Sequence, residues 1–230
     1  MTEQVFIKEE EHENQKQQQA EQDVQINETI NASRTMIDNI RKNEEISNIL
    51  AGHGYDEERL SEGLTLCDLT RQGFHQRGAA LTAQYKASAD LNGREKTARQ
   101  MYADFRLLAR GLFPDEPVRS ELALTGKVPH DRTQFLGIAR MSVDAARREP
   151  YASRFAEFGY DAGMLDQIST TLDALDDADS TQNNAIIDAV EATKNRDRAY
   201  AALTDWLKQF RRVATAALRQ DPEKLKILEA

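Results

Sequence analysis

At an offset of 105 residues, two stretches of this chain match each other without a gap. Leu50-Ala51-Gly52-His53-Gly54-Tyr55-Asp56 lies over Phe155-Ala156-Glu157-Phe158-Gly159-Tyr160-Asp161. The same register pairs Met36 with Met141, Leu60 with Leu165, Ala87 with Ala192, Phe105-Arg106 with Phe210-Arg211, and Pro117 with Pro222. The period is too long for a short solenoid unit, so the pattern reads as one tandem duplication. Any fold open to the first copy must also be open to the second. No other feature of the sequence restricts the chain as much.

The matched residues carry helix-boundary chemistry. In Gly54-Tyr55-Asp56-Glu57-Glu58-Arg59-Leu60, Asp56 is placed to cap a helix and Tyr55 to pack on Leu60 as a hydrophobic staple. Gly159-Tyr160-Asp161-Ala162-Gly163-Met164-Leu165 repeats the arrangement with Tyr160 and Leu165. Each glycine closes the preceding helix or shapes the turn before the cap. Asp115-Glu116-Pro117 and Gln220-Asp221-Pro222 put proline just inside a short helix behind an acid.

Beyond each cap runs a long stretch without proline. In the first copy Leu60, Leu64, Cys67, Phe74, Leu81 and Tyr85 share a face, and Met101, Phe105, Leu108 and Leu112 follow. In the second, Leu165, Ile168, Leu172 and Leu175 lead to Ile186, Val190, Leu203, Phe210, Val213 and Ala217. Both stretches weaken in the middle, at Gly73 to Gly78 and at Asp176 to Asn184. A hairpin turn and one continuous helix both remain open there, with continuity favoured because no insertion separates the copies. Asp161 to Asn184 holds six acids and no base, whereas Ala185 to Arg219 holds seven bases and four acids. The first copy follows the same trend. Antiparallel packing sets acidic halves beside basic ones.

With 5 prolines and 11 glycines in 230 residues, a turn-rich β fold is disfavoured. The expectation is an all-α, elongated antiparallel helical bundle: two tandem copies of a long-helix or helical-hairpin unit related by pseudo-twofold symmetry. Residues 1–25 form a mobile acidic Glu/Gln-rich tail, since Lys8 to Asp23 has almost nothing apolar to bury. Repeat one covers 26–125 and repeat two 126–230, packing as one structural unit, with a short-helix connection from about Pro117 to Tyr151.

The duplicated Gly-Tyr-Asp-x-x-x-Leu entry precedes an Ala- and Gln-containing helix that ends in Phe105-Arg106-Leu107-Leu108-Ala109 or Phe210-Arg211-Arg212-Val213-Ala214. In these motifs the chain resembles a bacterial family of internally duplicated all-helical proteins, from about Met36 onward. The resemblance implies a helical fold and a bacterial source, and assigns no site.

Chemistry is sparse. The net charge is −9, and the first 32 residues carry eight acids against two lysines. That balance offers no counterion-release drive toward nucleic acid or an anionic membrane. No apolar run spans a bilayer and no signal peptide opens the chain, so a cytoplasmic protein is expected. The single cysteine, Cys67, excludes an intramolecular disulfide and reads as a small buried hydrophobe. Glu9-Glu10-Glu11-His12 has one metal-type spacing without a second copy, and His53, His75 and His130 stand apart. No cofactor and no metal site is expected. Gly52-His53-Gly54 lacks the lysine of a phosphate loop, and His130-Asp131-Arg132 is a kinase-like triplet in the wrong order. Arg106 and Arg211 follow the matched phenylalanines and are the candidate partner or anion contacts, with ion pairing to an acidic helix as the plainer alternative. A non-enzymatic scaffold or interaction protein, with a protein partner or self-association, fits best. A small-molecule or lipid-binding bundle is the alternative, and an enzyme with a carboxylate site between the repeats a weaker one.

Overall fold

A computed structural model describes residues 2–229, with side chains described from Gln17 onward apart from Gln18, Gln19, Ile227 and Glu229. The described chain is all-α. Its helices are α1 (Thr2–Lys42), α2 (Glu44–Ala51), α3 (Glu57–Leu112), α4 (Glu116–Glu121), α5 (Arg132–Ala146), α6 (Tyr151–Ala156), α7 (Ala162–Ala217) and α8 (Pro222–Glu229). α3 and α7 are each 56 residues long and unbroken, so the hairpin alternative falls away. Their first residues are 105 apart, and so are their last.

The helix boundaries follow from the matched motifs. Gly54 and Gly159 take positive φ, 87° and 83°, where any Cβ would be strained. The chain then closes each short helix with two bonds: Tyr55 N to Leu50 O and Gly54 N to Ala51 O, repeated as Tyr160 N to Phe155 O and Gly159 N to Ala156 O. Asp56 accepts from the Arg59 amide at 3.0 Å and Asp161 from the Met164 amide at 2.9 Å. Both are working N-caps. Asp115 begins α4 without a side-chain cap bond, although Pro117 sits within the first turn as expected.

Contacts divide the chain into two compact units. The first comprises Met1–Ala80 and Ala189–Ala230, the second Leu81–Asp188. In the first unit, Ile26, Ile30, Met36, Ile37 and Ile40 of α1 pack with Leu60 and Cys67 of α3 and with Leu203, Trp206, Leu207 and Phe210 of α7. In the second, Tyr102 and Phe105 of α3 pack with Phe135 and Val143 of α5, Phe155 of α6, and Leu165 and Leu172 of α7. The residues expected to be staples reach further than their own helix. Tyr55 lies edge-on to Trp206 and Phe210, at 5.8 and 5.1 Å between ring centres. Tyr160 stands 5.9 Å from Phe105.

Buried positions on the long helices advance in alternating steps of three and four. They run from Leu60 through Gly63, Cys67, Thr70, Phe74 and Arg77 to Leu112, and from Leu165 to Ala217, with every step buried or half-buried. This is the 3.5-residue period at which a helix keeps one stripe turned to a neighbour. Tyr85 and Val190, expected on that stripe, are exposed instead, because Gln84 and Ala189 occupy the adjoining seam positions. Within the first unit the partners at and along α3 rise in number as the α7 partners fall: Tyr55, just before α3, meets Phe210, and within α3 Gly63 meets Trp206, Thr70 bonds Ala199 O, and Gly73 meets Arg196.

The acidic halves find their bases elsewhere than expected. Arg34 and Arg41 of α1 pair with Asp68 and Glu57 of α3. Arg140 of α5 pairs with Asp173 at 2.8 Å, and Arg147 pairs with Asp166 at 2.7 Å, both on α7. The helix two places before each long helix, α1 for α3 and α5 with its C-cap Arg147 for α7, therefore supplies these cations. As for the segment 1–25, its backbone is helical from Thr2 as part of α1.

Two glycines set the α3–α7 distance in the first unit. A Cβ at Gly73 would stand 3.0 Å from the Cα of Arg196, and one at Gly63 would stand 2.6 Å from the Trp206 ring. Gly73→Ala presses on backbone that cannot rotate away, and the expected cost is about 1–3 kcal/mol. Gly93→Ala, with open space around it on the same helix, gains about 0.5–1 kcal/mol from helix propensity. Urea denaturation of both variants checks the opposed signs.

Candidate functional site

Arg211, one of the two residues singled out, lies on the wall of a cavity of about 650 Å³ in the first unit. The cavity is bounded by α1, α7 and α8. Its apolar floor includes Met36, Leu207, Phe210, Ala214, Leu225 and Leu228. The polar lining comprises one carboxylate, Glu28, one cation, Arg211, and the hydroxyl residues Thr29, Ser33, Thr35 and Thr215. Most of these hydroxyls are taken by their own helix: Thr29 donates to Gln25 O at 2.8 Å, Ser33 to Thr29 O at 2.6 Å, and Thr215 to Arg211 O at 2.8 Å. Arg211 is exposed, and its guanidinium has no hydrogen-bond or ionic partner among the described residues. No described acidic side chain forms an ion pair with it.

Arg106, its match, has a different environment in the second unit. It is buried, and its Nη2 donates to Leu124 O at 2.9 Å and to Gly126 O at 2.6 Å. Those carbonyls belong to the irregular segment that follows α4. The segment is fixed on its other side by Ser142 of α5, which donates to Leu122 O at 2.7 Å and lies 3.1 Å from the Tyr102 hydroxyl. Leu122 and Leu124 are fully buried. Arg106 is thus a structural clamp on backbone carbonyls, neither an ion pair nor an open anion contact.

Two charged clusters were not anticipated. In the first unit Asp23 bridges two arginines drawn from the seam, with Arg196 Nη1 at 3.0 Å and Arg77 Nη1 at 3.2 Å. The Arg196 side chain is only 2% exposed and also bonds Asp197 at 2.6 Å. Asp23 falls inside the segment expected to be a tail, so residues 1–25 include an anchoring carboxylate. In the second unit Glu95 receives Arg132 and Arg99, each at 2.8 Å, while Arg132 also pairs with Asp179. Burial pushes the Glu95 carboxyl up, but the hydrogen bonds and charge of Arg132 and Arg99 outweigh it and hold it below its ordinary value. The sequence signal for both clusters was available. Arg77, Glu95, Asp179 and Arg196 all occupy stripe positions that apolar residues usually take.

The remaining candidates stay apart. His53, His75 and His130 are exposed, and no group of three or more potential metal ligands converges among the described residues. The Glu9 to His12 spacing lies outside the described side chains. Burial pushes the Cys67 thiol up, which suits a packing residue and opposes a nucleophile. Trp206 is buried and stacked on Phe210 at 5.5 Å. No described helix is long and apolar enough to cross a membrane. Comparison with protein-family models, with curated proteins and with solved structures finds no match.

Two expectations follow from the charged clusters. Asp23→Ala leaves Arg77 and Arg196 facing each other without their shared carboxylate. Because Arg196 keeps Asp197, the cost is about 2–3 kcal/mol, read from urea denaturation. A carboxyl held low in the folded state contributes stability above its unfolded value and loses it as pH falls through its folded value. Acidification from neutral pH to below 4.5, the ordinary value for Glu95, therefore destabilises the wild type more than Glu95→Gln. Melting temperatures across that range, compared between the two proteins, provide the measurement.

Proposed function

We propose that this chain is a non-enzymatic helical scaffold that self-associates, built from two opposed copies of one long-helix unit. Support for the duplication comes from the equal lengths of α3 and α7, the 105-residue spacing of both their ends, and the repeated glycine–tyrosine–aspartate closure. The contact order in the first unit, rising on α3 and falling on α7, supports antiparallel packing of coiled-coil type. A bacterial source and a cytoplasmic setting belong to the same reading. Nucleic acid is an unfavourable partner for a chain of net charge −9.

One observation carries the scaffold reading. The inner stripes of α3 and α7 are committed to packing along their whole length, while large apolar side chains remain on their outer faces. Leu107 is 77% exposed, Tyr85 67%, Ile187 61% and Val190 50%. Side chains of this size at solvent are common singly, but four on two helices give a partner something to cover. An enzymatic reading draws less from either unit taken alone: Glu95 and Asp179 meet at Arg132, which neutralises them. A lipid site also draws less, because the cavity in the first unit is walled by Glu28, Arg211 and several hydroxyls.

Sedimentation equilibrium tests the proposal. A mass that climbs above 26.0 kDa with concentration is expected. Leu107→Glu and Ile187→Glu should each shift the equilibrium toward monomer without lowering the melting temperature, since neither side chain is buried. A single 26.0 kDa species at every concentration overturns self-association.

A further inference from the structure

The two units handle equivalent arginines differently, and the difference points to an occupant. In the second unit the space between α3, α4 and α5 is filled by the chain itself. Leu122 and Leu124 enter the core, the backbone turns at Ala123 and Gly126 with φ of 50° and 73°, and Arg106 binds the carbonyls of Leu124 and Gly126. In the first unit the matched residues Leu207, Phe210, Arg211 and Ala214 replace Tyr102, Phe105, Arg106 and Ala109. There they line an open cavity, α8 continues as helix to Glu229, and the guanidinium has no described partner.

We propose that the groove between α1, α7 and α8 receives an extended peptide of the type leucine–any–glycine, whose backbone carbonyls bind Arg211. The proposal rests on the reading of two matched copies. Complementarity supports it: a backbone in extended form offers carbonyl acceptors to Arg211 and amide donors to Glu28, the one cation and one carboxylate on the wall. An apolar side chain two residues before the glycine covers Phe210 and Ala214, as Leu124 enters the core beside Phe105 and Ala109. A cavity of about 650 Å³ is within the range that holds a short ligand.

Trp206 is the only tryptophan in the chain and is stacked on Phe210, so its fluorescence reports the groove. The probe is an acetylated, amidated peptide with the sequence of residues 120–129, added to the full-length protein. A saturable change in Trp206 emission is expected. Arg211→Ala should weaken binding by about tenfold, the effect of losing a charged hydrogen bond. Arg211→Lys should restore it only in part, because an ammonium cannot hold two carbonyls in one fork. Leu124→Asp within the peptide should abolish binding. No saturable change, or equal binding by wild type and Arg211→Ala, overturns the proposal. Binding of laurate in place of the peptide also overturns it, in favour of a lipid. The outcome is separable from the scaffold test: loss of peptide binding in a protein that still self-associates removes only the groove, while a monomer that binds peptide removes only self-association.

Discussion

Close approach of α3 and α7 in the first unit rests on two residues that have no side chain. Gly73 lets the Arg196 backbone sit where a Cβ would stand only 3.0 Å from its Cα, and Gly63 accepts the edge of Trp206. Several other features of that unit follow from this proximity. Thr70 can reach Ala199 O only because the backbones are near, and Tyr55 can lie against both Trp206 and Phe210 only if α7 is held there. Arg196 is brought so deep that its guanidinium must find anions inside the unit. It finds Asp197 on its own helix and Asp23 on α1. A contact made by hydrogen atoms thus determines where charge has to be placed, and why an aspartate near the N-terminal end of the described side chains is an anchor.

Much of this architecture was legible in the residues, because the informative features were local. Glycine two residues before a cap aspartate specifies a left-handed residue followed by a helix start, and both matched stretches adopt that geometry. Continuity of the long helices was legible only as a preference, since the weak middle segments are mostly polar and look like turns. They hold as helix because the stripe persists through Phe74 and Arg77 in one and Asp179 and Gln182 in the other, every one buried or half-buried although most are polar. A hydrophobicity pattern cannot register them. The cation supply to the acidic halves was misplaced for a related reason. Charge totals say which segments attract, yet Arg34, Arg41, Arg140 and Arg147 come from helices that the totals had not included.

The candidate site was half legible. Sequence placed Arg106 and Arg211 at equivalent positions and treated them as equivalent in role. What differs is the chain after the short helix that follows each. α4 ends at Glu121 and releases a segment with a glycine in the left-handed region, and this segment returns its carbonyls to Arg106. α8 remains helical to Glu229, and its Leu225 and Leu228 line the cavity without closing it. Two arginines that share a preceding phenylalanine and an alanine three residues on therefore face different partners, and a comparison of aligned positions has no access to that.

Energetics explain why the difference has consequences. An arginine buried against carbonyls has exchanged water for fixed acceptors, and Arg106 still leaves Nη1 buried without a partner, so its clamp is incompletely satisfied. Arg211 faces the reverse situation. It is exposed on the lining of a cavity that it shares with Phe210 and Ala214. Covering that lining with apolar side chains releases water from it, and doing so without acceptors for Arg211 would strip a charge of its solvent at a cost of several kcal/mol. An occupant must therefore supply apolar surface and acceptor oxygens together. A peptide backbone beside a leucine does both, and the second unit meets the same requirement with its own chain.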